Sequence, residues 1–430
     1  MHVDVLIHSA TQLVTCASPG GPRRGPAMRE VGLIGDGALA VAGGTIVAVG
    51  RSADLRARFT ADQEIDASGR AVCPGFVDPH THMVYCGDRI GEFERRIAGA
   101  TYQQIAAEGG GILATVRATR AASVERLAEE TRPRLAAMLR LGTTTAEAKT
   151  GYGLEMAAEL RQLAAIAALD AAQPVELVPT FLAAHAVPPE HRARPDDYVA
   201  LVVEEMLPAA AAWHRASRFA QDGRPMFVDV FCEQGAFDLA QARRVLEAAR
   251  ALGLPLKAHV DEFSALGGLR MALELGAVSV DHLDVTAAED IPLLARSPAV
   301  AVVIPTVTFN LGGTHFADAR AMVDAGAALA LTTDINPGSS PCPSMQLAAA
   351  IACRYQRLLP AEALTACTIN AAHAIGMGAR TGSLEAGKQA DILLLDAPDY
   401  RHFAYTFGGN VVGTVIKRGR VVATGDRVTN

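Results

Sequence analysis

The sequence predicts an α/β fold: a (β/α)8 barrel of the TIM type, carrying a small composite β-sandwich assembled from both ends of the chain. Three observations lead there. Short apolar runs rich in β-branched residues, each bounded by Gly, Pro or Asp, recur between Val72 and Asp334. Ala/Leu/Arg/Glu stretches at helical period separate them, and eight strands alternating with helices over about 300 residues is the count for a closed barrel. The first ~70 and last ~50 residues follow a different rhythm, short strands interrupted by glycine.

In chain order, a Pro/Gly-rich loop over Ser18 to Ala27 precedes a strand–Gly–strand pattern at Ala38 to Gly50. The eight barrel strands are read at Val72 to Asp78, Thr143 to Lys149, Val175 to Leu182, Met226 to Phe231, Leu254 to Asp261, Val278 to Leu283, Val300 to Pro305 and Ala328 to Asp334. Helical stretches include Val124 to Leu141, Met156 to Leu169 and Leu239 to Leu252. An open doubly wound sheet is the alternative, but nothing marks a topological switch point. Beyond the barrel, Ile392 to Leu395 and Val411 to Val422 repeat the glycine-broken strand pattern of the N-terminus, so the two ends can pair. The expected division is 1–72 and 379–430 for the composite β domain and 73–378 for the barrel.

Composition narrows the function classes. The 430 residues are 50% hydrophobic and 20% charged, a globular balance. A net charge of −7 without a basic run argues against nucleic acid as partner and leaves a small molecule. The 7 cysteines form no Cys-X-X-Cys, which suits a reducing cytoplasm and packing rather than disulfides. The start of the chain lacks a signal-peptide pattern, and the alanine-rich segments are too short and too charged to span a membrane.

The chemistry concentrates at strand ends. Asp78-Pro79-His80-Thr81-His82 closes the first apolar run, and two histidines two apart on a strand point the same way. They form half a metal site that Asp78 could orient, although an isolated pair can equally be a capping feature. The later strands run into Lys149-Thr150-Gly151-Tyr152, His185, His259 with Asp261 and Glu262, Asp281-His282, and Asp334. In a (β/α)8 barrel all these ends meet on one face. Several imidazoles and a carboxylate delivered to one rim suit a single divalent ion such as zinc. Glu262, three residues past His259, is placed to carry a proton without being a ligand. Only four lysines are present, which bears on whether a modified lysine bridges two metals.

These blocks resemble the amidohydrolase superfamily and, within it, the imidazolonepropionase family. Further matching stretches are Gly99 to Tyr102 with Gly109-Gly110-Gly111-Ile112, Ala184 to Pro189, Val228 to Gln234, Thr333 to Ser339, Thr368 to Ala372 and Gly382 to Asp391, so the similarity spans essentially the whole chain. The resemblance implies His80, His82, His259 and Asp334 as ligands of one zinc or iron ion. It implies Glu262, His282, Asp334 and His185 as catalytic groups, with His282 or His185 charged against an oxyanion. It implies substrate contacts from Arg89, Tyr152, His185, Glu262, Asn336, Gly338 and Ser339, with Arg89 clamping a carboxylate. Thr150 stands where the family more often has Ser.

The implied reaction is hydrolysis of the cyclic amide of 4-imidazolone-5-propanoate to N-formimino-L-glutamate by metal-activated water, in a cytoplasmic homodimer. The rivals are another cyclic amidase or deaminase of the superfamily, and a catalytically silent binding homologue. Gly109-Gly110-Gly111 lacks a following Gly-Lys-Ser/Thr and reads as a flexible lid rather than a phosphate loop. Cys86 reads as a small buried side chain.

Overall fold

A computed structural model of the chain describes residues 1–18, 20–100, 104–105, 108–425 and 427–428. The N-terminal strands are β1 (His2–Val14), β2 (Leu33–Ala42), β3 (Thr45–Arg51), β4 (Thr60–Asp66) and β5 (Ala71–Pro74). Next come β6 (Phe76–Asp78), β7 (Thr143–Lys149), β8 (Glu176–Ala184), β9 (Phe227–Cys232), β10 (Lys257–Val260), β11 (Ser279–His282), β12 (Val300–Val303) and β13 (Ala328–Leu331). The chain ends with β14 (Ile392–Leu395), β15 (Val412–Lys417), β16 (Arg420–Thr424) and β17 (Arg427–Val428).

Strands β6 to β13 pair in sequence order as one parallel sheet. Alternation along each strand gives it two buried faces. Val77, Val178, Phe227, Val302 and Ala330 pack on one side against Ile375 and Met377, while Ala301, Val303, Leu329 and Leu331 join the main core with the helices. Those helices start where local chemistry favours them. Ser123 caps Val124–Arg140 by accepting from the Arg126 amide, and Asp238 with Gln241 forms a capping box at Leu239–Ala251.

The apolar run Val72 to Asp78, read above as one strand, is two. Ala71–Pro74 pairs with β14 and Phe76–Asp78 pairs with β7. Gly75 is the switch: its amide donates to Asp391 O at 2.9 Å, and the next amide, of Phe76, donates to Gly142 O at 2.9 Å. Consecutive peptides thus belong to different sheets, and a Cβ at Gly75 would collide with the Thr144 side chain.

Between β13 and β6 the barrel closes differently from the other seams. The His82 amide donates to Ile335 O at 3.0 Å. The Asp78 carboxylate accepts from the Thr332 hydroxyl, from the Thr333 amide at 3.1 Å and from the Thr333 hydroxyl at 2.5 Å.

The two chain ends form a nine-stranded mixed sheet in the order β17-β16-β15-β14-β5-β1-β2-β3, with β4 added parallel to β1. Hydrogen bonds join these strands as one continuous sheet whose central strands carry an apolar cluster on each face. Ile7, Leu39, Ile46, Ile392 and Leu394 share one cluster, while Leu6, Ala38 and Ala40 meet Leu55 of the helix Ser52–Arg58 and Phe59 just past it. Among the described residues no helix is long and apolar enough to cross a membrane.

Candidate metal centre

Four donors converge at the strand ends, His259 within β10 and the other three just past β6 and β13. His82 Nε2 lies 3.3 Å from His80 Nε2 and 3.2 Å from His259 Nε2. Asp334 Oδ1 lies 3.6 Å from His80 Nε2 and 3.5 Å from His82 Nε2. Donors bound about 2.1 Å from a tetrahedral ion stand about 3.4 Å apart, so this spacing is that of a shared cation. A single proton on His82 Nε2 could bridge only one of these gaps, so hydrogen bonding does not account for the whole cluster. His80 gives its Nδ1 side to Asp281 Oδ2 at 2.6 Å, and His259 Nδ1 faces Asp229 Oδ2 at 2.9 Å, slightly out of line. That arrangement leaves bare Nε2 lone pairs turned inward. Asp334 Oδ1 is buried without a hydrogen-bond partner. The donor set therefore fits a metal ion.

The centre rests on a charged layer that sequence reading resolved only in part. Glu147, Asp229, Asp281, Lys149 and Lys257 are all buried. Lys149 Nζ pairs with Asp229 at 2.6 Å and Glu147 at 2.9 Å, and Lys257 Nζ donates to Pro79 O at 2.9 Å. Burial opposes the charge on Lys149, but Asp229, Glu147 and Asp281 overcome it and hold the ammonium above its ordinary pKa. A lysine so paired is not a bridging ligand between two metals. The orienting carboxylate is also not Asp78, which closes the β13–β6 seam; Asp281 and Asp229 do that work. A carboxylate inside the apolar run Phe227-Val228-Asp229-Val230 was the available signal, since such a charge is rarely buried unpaired.

At the rim, Glu262 Oε2 sits 3.7 Å from His282 Nε2, and its side chain is 10% exposed. Burial first, then the charges of Asp334, Asp284 and Glu233, push the Glu262 carboxyl well above its usual range. The loop holding it is fixed by Glu233, which accepts from the Phe263 amide at 2.9 Å and the Ser264 amide at 3.1 Å. Asp261, His282, Leu283 and Asp334 all have positive φ, local strain gathered at one site.

The ring of His185 stacks on that of His82 at 4.8 Å, and its Nδ1 contacts Gly151 O at 2.9 Å. Burial and then the neighbouring His259 push His185 down to about 3, and burial holds His282 well below its ordinary value. Against the expectation of a charged His185 or His282, burial favours the neutral ring in both, with His185 Nδ1 facing the Gly151 carbonyl. Tyr152 is buried, 6.0 Å from the His82 ring.

The Asn336–Ser339 loop spends its donors on itself. Asn336 Oδ1 accepts from the Gly338 and Ser339 amides, each at 2.8 Å, while Asn336 Nδ2 donates to Asp334 O at 2.8 Å. Those groups fix Asp334 rather than standing free for a ligand. Arg89 lies directly over Gly338, where a Cβ would strike its guanidinium. Its Nε donates to Glu92 Oε2 at 2.8 Å, and Glu92 Oε1 accepts from the Gly111 amide at 2.8 Å. Thr101 and Tyr102, part of one of the family-matching stretches, lie outside the described residues. Cys86 is buried, its thiol pushed up to about 11 by burial, as a packing residue would be.

Comparison with known proteins identifies the family. The amidohydrolase family profile matches residues 71–422, and a profile of the bacterial imidazolonepropionase-like composite domain matches residues 37–61. An imidazolonepropionase of Chloroflexus aggregans is 66% identical over 98% of this chain and 99% of its own. One of Herpetosiphon aurantiacus is 53% identical over 98% of this chain and 97% of its own. A zinc-bound adenosine deaminase of Xanthomonas campestris shares the fold with a TM-score of 0.75 at 22% identity, covering 100% of this chain and 95% of that one. The chain is a hydrolase that belongs to the amidohydrolase family and, within it, to the imidazolonepropionases.

Proposed function

We propose that the chain opens the ring of 4-imidazolone-5-propanoate by hydrolysis of its cyclic amide, giving N-formimino-L-glutamate in histidine degradation. The supporting observation is the joining of two features on one loop: Asp334, among the four converging donors, and Gly338, over which Arg89 lies. A site for a carboxylate tail beside a hydrolytic centre fits this substrate class.

His80, His82, His259 and Asp334 would hold one zinc or iron ion. When bound, it supplies Lewis acidity and water of lowered pKa. Glu262, raised by burial, takes a proton from the attacking water and returns it to the departing ring nitrogen. His282, 3.7 Å away, orients that carboxyl as a neutral partner. Arg89 binds the propionate through its Nη edge. Tyr152 and His185 form the wall against the ring, with His185 Nε2 available as an acceptor. The Asn336–Ser339 loop holds Asp334 and brings Gly338 under Arg89.

The same reading takes the protein to be a cytoplasmic homodimer, in keeping with its seven free cysteines. It also divides the chain near residues 72 and 378, with the first boundary moved to Gly75 so that β5 stays whole in the terminal sheet.

The test is metal content together with the absorbance of imidazolone propionate on adding purified protein. About one ion per chain and rapid loss of absorbance are expected. Active protein free of metal would overturn the donor assignment, and turnover of only carboxylate-free rings would overturn the substrate.

A further inference from the structure

Three carboxylates and two lysines lie buried beneath the four converging donors. Such a layer is costly unless every charge is paired, and barrel interiors can be filled by apolar side chains instead. We propose that Lys149 is a positioning residue for the metal-binding imidazoles. Among the described residues it is the one cation that reaches all three carboxylates: Asp229 at 2.6 Å, Glu147 at 2.9 Å and Asp281 at 3.9 Å.

The contact with Asp229 is shared by a single oxygen. Asp229 Oδ2 faces the Lys149 ammonium on one side and His259 Nδ1 at 2.9 Å on the other. Asp281 Oδ2 repeats the pattern, 2.6 Å from His80 Nδ1 and 3.4 Å from Lys257 Nζ, while Ser279 holds the other oxygen at 2.6 Å. Each oxygen is pinned between a fixed cation and an imidazole, so each ring has one orientation and one tautomer. Lys257 is in turn anchored on the carbonyl of Pro79, directly before His80. Removing Lys149 would leave one lysine among three carboxylates, and Asp229 would lose the partner that fixes its rotamer. The His259 ring would then no longer be held with Nε2 toward His82.

This rests on the metal reading above, and its test has a readout independent of turnover. Zinc affinity of the purified chain is measured by competition with a chromophoric chelator, and the imidazole nitrogens are followed by 1H–15N spectra. Lys149→Met is expected to weaken zinc binding 10- to 100-fold, the range typical of groups that orient metal ligands, and to remove the His259 Nδ1–H signal. Lys417→Met, a buried lysine paired with Glu176 and Asp391 far from the donors, is expected to lower the melting temperature without moving zinc affinity. If Lys149→Met does not fold, Asp229→Asn decides by the same criterion. Affinity within twofold of the parent and unchanged imidazole spectra would overturn the positioning role alone. A parent chain that binds no zinc would overturn the metal reading and this role with it.

Discussion

At the scale of single residues, the donors were legible because their chemistry is scarce and their placement periodic. His80 and His82 follow directly on β6, and His259 and Asp334 stand at or just past the ends of other strands. What the sequence did not reveal is which groups stand behind them, because Asp229 and Asp281 reach His259 and His80 only through the fold. Glu262 stands outside the four-donor cluster, so Glu262→Gln should keep the metal and lose activity by roughly 10²–10⁴, the usual span for a general acid–base group. A nearly active variant would pass the proton to His282 or Asp334. Arg89 tests the substrate. Its Nε is held by Glu92, so the Nη edge is presented in a fixed direction, and contact with a carboxylate would persist from ground state to transition state. Arg89→Met should raise KM by one to two decades, about 1.5–3 kcal/mol, with a much smaller fall in kcat. A drop in kcat alone would place Arg89 at the reacting bond instead.

At the scale of elements, the eight barrel strands were found within a few residues, yet the first was misjudged. Val72 to Asp78 has one continuous apolar pattern, and periodicity cannot show that Pro74 and Gly75 hand the chain from one sheet to another. The β13–β6 seam was equally hidden, since its closure is made by Asp78, Thr332 and Thr333 rather than by a ladder motif. Thr333→Val would delete the hydroxyl that donates to Asp78 Oδ2 at 2.5 Å and leave a buried carboxylate oxygen short of a partner. The expected cost is about 1–3 kcal/mol of folding stability, read by denaturant unfolding. Because Asp334 follows directly, the variant should also bind metal more weakly. Unchanged stability would mean that the Thr333 hydroxyl adds nothing to the seam, which the Thr332 hydroxyl, the Thr333 amide and the His82–Ile335 backbone bond would then hold.

At the scale of the whole molecule, similar glycine-broken strands at both ends made their pairing legible, but not what fastens the resulting sheet to the barrel. That fastening joins residues more than 200 positions apart. Glu176, the first residue of β8, meets Lys417 at 3.1 Å and Arg418 at 2.9 Å, and Lys417 continues to Asp391 at 2.8 Å. Burial opposes ionisation of Glu176, yet Lys417 and Arg418 outweigh it and pull the carboxyl from its ordinary 4.5 to about 2. A folded-state value below the unfolded one adds stability that is complete above pH 4.5 and is lost as pH falls toward 2. A displacement of that size corresponds to about 3 kcal/mol. Glu176→Gln should therefore lower stability by about this amount at neutral pH, and the gap to the parent should close between pH 4.5 and 2. Zinc affinity should be unaffected, because the junction lies at the opposite ends of the strands from the metal donors. Melting curves of parent and variant across that range, run alongside zinc titrations, check both statements. A gap that stayed constant with pH would show that Glu176 contributes by packing and hydrogen bonding rather than by its charge.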